Sequence, residues 1–208
     1  MGEESVNERL KEIKRSFRLL MNGVTSQSMR EKGSDYHVNW GASFPMLKDM
    51  AAHIGKVYAL ALALWKENVR ECKILATLVM PADAMTTADA DLWVAQTRTQ
   101  EIAEMSSFNL YQYLDFATVK AYRWIESDGD MCRLCGFHTL SLLFKKGKAP
   151  DAGEMERFAA CLASAVKDGS MAVKKAAMAC AMWFVELGNE YEELLQNKLN
   201  SEGIALFP

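Results

Sequence analysis

Apolar residues return along this chain with a period of three to four. Val6, Leu10, Ile13, Phe17 and Leu20 fall at i, i+4, i+7, i+11 and i+14, which places them on one stripe of a helix. No alternating Val/Ile/Thr runs flank Asn-Gly or Asp-Gly pairs in the manner of hairpins. The four prolines, Pro45, Pro81, Pro150 and Pro208, stay outside the long periodic stretches. Those stretches are rich in Ala, Leu, Met, Lys and Glu, all good helix formers. The pattern predicts an all-α fold. Residues 22–43 are polar and read as loop with one short helix. Ser43 is placed to cap the next helix, with Pro45 in its first turn, where proline is tolerated. Gly55 predicts a break between helices over 44–53 and 56–66.

Three later junctions resemble one another: residues 61–79, 121–140 and 161–184. In each, an apolar helix leads through a short polar turn into a second helix rich in small residues. Each second helix carries cations in its first turns: Arg70 and Lys73, then Arg133, then Lys174 and Lys175. Arg133 and Lys174 are 41 positions apart, counted from their sequence numbers (174 − 133). That separation lies in the range of about 40–47 residues of HEAT and armadillo helix-pair repeats. The expectation is a helical-repeat solenoid, a curved stack of antiparallel helix pairs. It forms one domain over 1–208, with an N-terminal helix in 1–22 and repeats over 44–200. In such a stack the cations at the helix starts either share one face or stand as scattered solvated charges.

Composition adds limits. At 208 residues and 50 % hydrophobic content the chain is long enough for a sizeable core. No run approaches the roughly 18 apolar residues of a membrane span, so no membrane role is expected. The N-terminus is charged and lacks the apolar stretch of a secretory signal. Five cysteines, an odd number without disulfide-scaffold spacing, indicate a reducing, cytoplasmic setting. A net charge of −3 argues against a bulk-basic nucleic-acid binder and leaves room for a local basic face.

Candidate chemistry is sparse. Cys132-x-x-Cys135 is one pair with only His138 near it, short of the four ligands of a structural zinc site. Its i, i+3 spacing in apolar surroundings reads as buried small residues. Ser127-Asp128-Gly129-Asp130 lacks the oxygen ladder of a calcium loop, and Asp128 or Asp130 reads as a helix N-cap. Exposable cations include Lys11, Lys14, Arg15 and Arg18 on the first helix, with Lys48, Arg70 and the run Lys145-Lys146-Gly147-Lys148 beyond it. Phe108, Tyr111, Tyr113 and Phe116 cluster in sequence, and Trp183 follows later. Aromatics of this kind either pack the core or, beside cations, stack on bases. Neither a cofactor motif nor a nucleotide-binding glycine loop is present, and no cofactor or metal is expected.

Taken together, several stretches resemble the bacterial DNA alkylation repair family, HEAT-like helical-repeat DNA glycosylases that release N3- and N7-alkylated purines. They are Trp40-Gly41 with Pro45, Leu47 and Lys48; Leu64-Trp65 with Glu71 and Ala76; Trp124, Ser127 and Arg133; and Val173-Lys174-Lys175-Ala176. The resemblance spans about residues 28–190 and implies that DNA, duplex and held by its backbone, is the partner. It implies a phosphate contact for Arg133, with Lys174 and Lys175 alongside, while Lys48 and Arg70 are further candidate DNA contacts by their charge. The family's catalytic segment aligns with residues 107–113. Its tryptophan and aspartate positions are Asn109 and Tyr113 here, and a later tryptophan falls on Ala179, with Trp183 one turn further. The family's aspartate stabilises positive charge developing on the sugar, and Tyr113 carries no carboxylate. Three readings therefore stay open: excision of alkylated purines with a rearranged site, DNA binding without excision, and a helical-repeat protein–protein scaffold. Oligomeric state is not legible.

Overall fold

The computed structural model describes residues 3–31, 36 and 38–204; part of the loop expected over 22–43 lies outside them. The chain divides into two compact units, residues 1–93 and 94–208. Among the described residues every regular element is helical. Val38 and Val69 form one isolated parallel bridge.

The first unit contains α1 (Glu3–Ser16), α2 (Gly23–Glu31), α3 (Phe44–Ile54), α4 (Tyr58–Lys66), α5 (Arg70–Val79) and most of α6 (Thr87–Ala95). The apolar stripe of α1 behaves as its spacing predicts: Val6, Ile13 and Phe17 are buried. Phe17 begins a 3-10 turn, Phe17–Leu20, that extends the helix. The break at Gly55 is also as expected. Gly55 adopts φ +75°, a conformation that favours glycine, and its N–H closes α3 on the Ala51 carbonyl at 2.9 Å. Ser43 holds the N-cap position of α3, but its side chain makes no capping bond there. Helices α4 and α5 form an antiparallel pair, with α1 against α4 and α3 against α5. The Trp65 and Trp93 rings stack at 4.1 Å and 2° between planes in the core.

The second unit contains α7 (Gln100–Asn109), α8 (Ala117–Ile125), α9 (Asp130–Lys145), α10 (Ala152–Asp168), α11 (Met171–Val185) and α12 (Asn189–Ser201). Helix α9 is its spine, packed on α7, α8 and α11, while α10 packs on α8, α11 and α12. The chain therefore alternates between two layers, α7, α9 and α11 in one and α8, α10 and α12 in the other. Helices α9 and α11 run the same way, because α10 carries the chain back between them. Arg133 and Lys174, 41 positions apart in sequence, are both the fourth residue of their helices. The helix-pair period expected from sequence is thus a structural one. Gly136 allows α8 and α9 to approach closely. A Cβ there would sit 2.6 Å from Ile125 Cγ2 and 2.8 Å from the Ala121 carbonyl oxygen. The cap of α9 differs from expectation: Gly129, not Asp128 or Asp130, is the N-cap, and Asp130 opens the helix, where its charge favours the dipole.

Candidate nucleic-acid interface

Several of the cations expected to meet DNA serve the scaffold. Arg70 is only 4 % exposed. Its guanidinium donates to the Ala42 carbonyl at 2.9 Å and to Glu71 at 3.2 Å. Glu71, fully buried, also accepts from the backbone N–H groups of Trp40 and Ala42 at 3.2 and 3.3 Å. This buried pair fastens the 40–42 segment to α5, and the expectation of Arg70 as a DNA contact is corrected accordingly. The stretches Trp40-Gly41 and Glu71 are therefore joined physically. Gly41, at φ +71°, has no room for a Cβ beside Asn22.

The fourth residues of two of the second helices share a role. Lys73 on α5 donates to the Trp65 carbonyl in the last turn of α4. Lys174 on α11 donates to the Lys167 carbonyl in the last turn of α10 at 3.3 Å. A cation reaching the free carbonyls of a helix C-terminus also complements its dipole. The corresponding Arg133 is 9 % exposed, and its Nε is buried with no hydrogen-bond partner among the described residues. It lies about 200° around α9 from Met131, which starts the partly exposed stripe Met131, His138, Leu142 and Lys145. Its charge is felt by Cys161 on α10, whose thiol is pushed up to about 11, by burial first, with Arg133 opposing the rise. Arg133 thus points toward the packed side of its helix. Lys48 and Lys175 are exposed and have no partner among the described residues. Cys135 is buried and its thiol is raised by burial, with Cys132 half-buried beside it.

The exposed chemistry gathers at the other end of α9. Lys146 places its ammonium 4.3 Å from the ring centre of Tyr113, and Lys145 places its own 4.7 Å from that of Trp183. Tyr113 is 57 % and Trp183 37 % exposed. Two neighbouring lysines thereby each reach over an aromatic from a different element. The helix end fixes them. Gly147 at φ +77° donates to the Phe144 carbonyl at 2.7 Å, and Lys148 N–H donates to Leu143 at 3.1 Å. That pair of bonds is a Schellman C-cap, which needs the left-handed glycine. Helix α7, which leads into the 3-10 turn Tyr111–Tyr113, is fastened to α9. Ser107 donates to the Cys135 carbonyl at 3.2 Å, and Thr139 donates to the Ser107 hydroxyl at 3.1 Å. Asn109 is half-buried and Ala179 exposed.

The structure therefore unites Tyr113 with Lys146 and Lys145 with Trp183. Sequence reading aligned a tryptophan with Ala179, and it is Trp183, one turn on, that joins the site. The lysines were visible as a run, Lys-Lys-Gly-Lys after an apolar stretch, which is the signature of this helix ending. Cations stacked on exposed aromatic faces make a surface suited to anionic strands with accessible bases. Among the described residues no cluster of metal-ligating side chains occurs, and no helix is long and apolar enough to cross a membrane.

Helix pairs with a repeat of this length place the chain in the HEAT-like repeat class. A profile of the DNA alkylation repair enzyme family matches residues 10–205, and the chain belongs to that family. A solved structure with a TM-score of 0.78 is similar over 91 % of this chain and 83 % of that chain, at 17 % identity. It comes from what is described as a new family of proteins related to the HEAT-like repeat DNA glycosylases with affinity for branched DNA structures. At that identity the likeness shows the shared fold. A search of curated proteins finds no significant match.

Proposed function

We propose that this protein is a DNA-binding member of the DNA alkylation repair family, gripping DNA with the Lys145–Lys146 surface and excising no base by a carboxylate-assisted route. The observation that carries the reading is the ammonium of Lys146 stacked on Tyr113. The family's chemistry builds positive charge on the sugar, and an anion at the Tyr113 position would stabilise it. Here a phenol capped by a cation stands there, which opposes that charge. The same cations attract phosphate, and Tyr113 and Trp183 offer flat faces on which bases stack. The form of DNA follows from that surface and from the similar structure's described affinity for branched DNA. At a branch point bases lose a stacking neighbour, and an exposed aromatic replaces it.

Family membership favours a second reading, excision with a rearranged site. Incubation with duplex DNA carrying 7-methylguanine separates the two. The first reading predicts no base released above the spontaneous rate, together with tighter binding to a forked DNA than to a duplex of equal length. Multiple-turnover release would establish excision. Absence of DNA binding even at low salt would leave the protein–protein scaffold reading.

A further inference from the structure

A second basic site lies in the first unit. Lys11, Lys14, Arg15 and Arg18 follow one another at i, i+3, i+4 and i+7, a cationic stripe along α1 and its 3-10 extension. Lys14, Arg15 and Arg18 border an open cavity of about 260 Å³, lined also by Trp40, Val38 and the 67–69 turn. An adjoining trough of about 470 Å³ shares Lys14 and Arg15 and adds Lys11. One acidic residue, Glu67, lines both, and it is held by Lys14 at 2.5 Å. Arg15 and Arg18 have no partner among the described residues, so the cavity keeps two uncompensated guanidinium groups.

The wall opposite is equally specific. Trp40 is fixed by its backbone, donating to Glu71 and accepting from Asn22 N–H at 2.9 Å. Its half-buried indole makes no hydrogen bond or ring contact with other described residues. The Val38–Val69 bridge and the 3.1 Å bond from Arg70 N–H to the Val38 carbonyl hold the wall to α5. Cations in the last turn of a helix complement its dipole, which accounts for Lys14 and Arg15 alone. It does not account for Arg18, beyond the helix, or for a tryptophan facing a cavity.

We propose that this cavity binds a nucleotide through its terminal phosphate, with Arg15 and Arg18 on the phosphate and the base against Trp40. Guanidinium groups match phosphate oxygens in paired hydrogen bonds, and an indole face stacks on a base. The volume is at the small end of ligand pockets, the scale of one nucleotide rather than a running strand. A free nucleotide and the phosphorylated end of a strand present the same chemistry. None of its lining residues belongs to the Lys145–Lys146 surface.

Titration calorimetry of the full chain with thymidine 5′-monophosphate tests the proposal, with thymidine and inorganic phosphate alongside. The expected result is one site per chain, with the monophosphate at least tenfold tighter than either fragment. Arg15→Gln/Arg18→Gln, on an exposed helix face, should weaken it at least tenfold without lowering the melting temperature. Trp40→Phe, which keeps an aromatic wall, should retain binding, and Trp40→Leu should weaken the monophosphate but not inorganic phosphate. Tetrathymidylate with and without a 5′-phosphate then identifies the source. Phosphate-dependent binding of the oligomer indicates a strand end, and binding of the mononucleotide alone indicates a free nucleotide. No monophosphate binding at millimolar concentration, or binding unchanged in the double arginine variant, overturns the proposal.

Discussion

At the scale of single residues, burial decides which cations are free to act. Arg70 and Arg133 look alike in sequence to Lys145 and Lys146, yet the first two are nearly enclosed. An unsatisfied buried polar atom costs about 1–3 kcal/mol, and Arg133 carries one at Nε. Arg133→Met, of similar length and apolar, should therefore leave the urea midpoint unchanged or raised and alter DNA affinity less than twofold. A tenfold loss of DNA affinity would instead place Arg133 at the interface, as the family resemblance implies. His138 gives a pH signature. Burial lowers its pKa, and Glu104, 3.8 Å away, only partly opposes this. The unfolded chain takes up a proton at this histidine near pH 6.5, while the folded chain resists it. Stability thus falls as pH drops below about 6.5 through the folded pKa. The carboxylates with lowered pKa, Asp89, Glu126 and Glu202, act at lower pH. The urea midpoint should decrease between pH 7 and 5.5, and His138→Gln should flatten that decrease.

At the scale of elements, periodicity made the helices legible and their ends less so. The stripe of α1, the break at Gly55 and the 41-residue pairing of α9 with α11 all follow from apolar and glycine spacing. Caps did not follow, because several side chains of capping type compete within a few residues. Ser43 and Asp130 sit at or beside a helix start without making the bond, while Asp151 forms a full capping box with Glu154. Small residues predicted close packing without saying where it is tightest. Between α8 and α9 the structure locates it at Gly136, whose missing Cβ leaves room for Ile125 and the Ala121 carbonyl. Gly136→Ala should force α8 from α9 and cost about 1–3 kcal/mol, measured by urea unfolding. A neutral or stabilising result would mean that the pair has slack absent from this packing.

At the scale of the whole molecule, fold and family could be read from ordered weak matches, and the site only in part. Tyr113 was visible as a departure from a catalytic carboxylate. What replaced that carboxylate was not visible, because Lys146 and Trp183 reach the site from residues 33 and 70 positions away (146 − 113 and 183 − 113). Such pairings depend on how α9 packs against its neighbours, which local spacing does not encode. Of the periodic cations that suggested a groove lining, Lys73 and Lys174 bond the end of the preceding helix and Arg70 holds the 40–42 segment. The proposed binding surface therefore lies at one end of α9. The most direct measurement is forked-DNA affinity against salt for wild type and Lys145→Ala/Lys146→Ala. The variant should bind at least tenfold more weakly at low salt, with a log–log salt slope shallower by about 1–2. Equal affinities with parallel slopes would contradict the proposed binding surface.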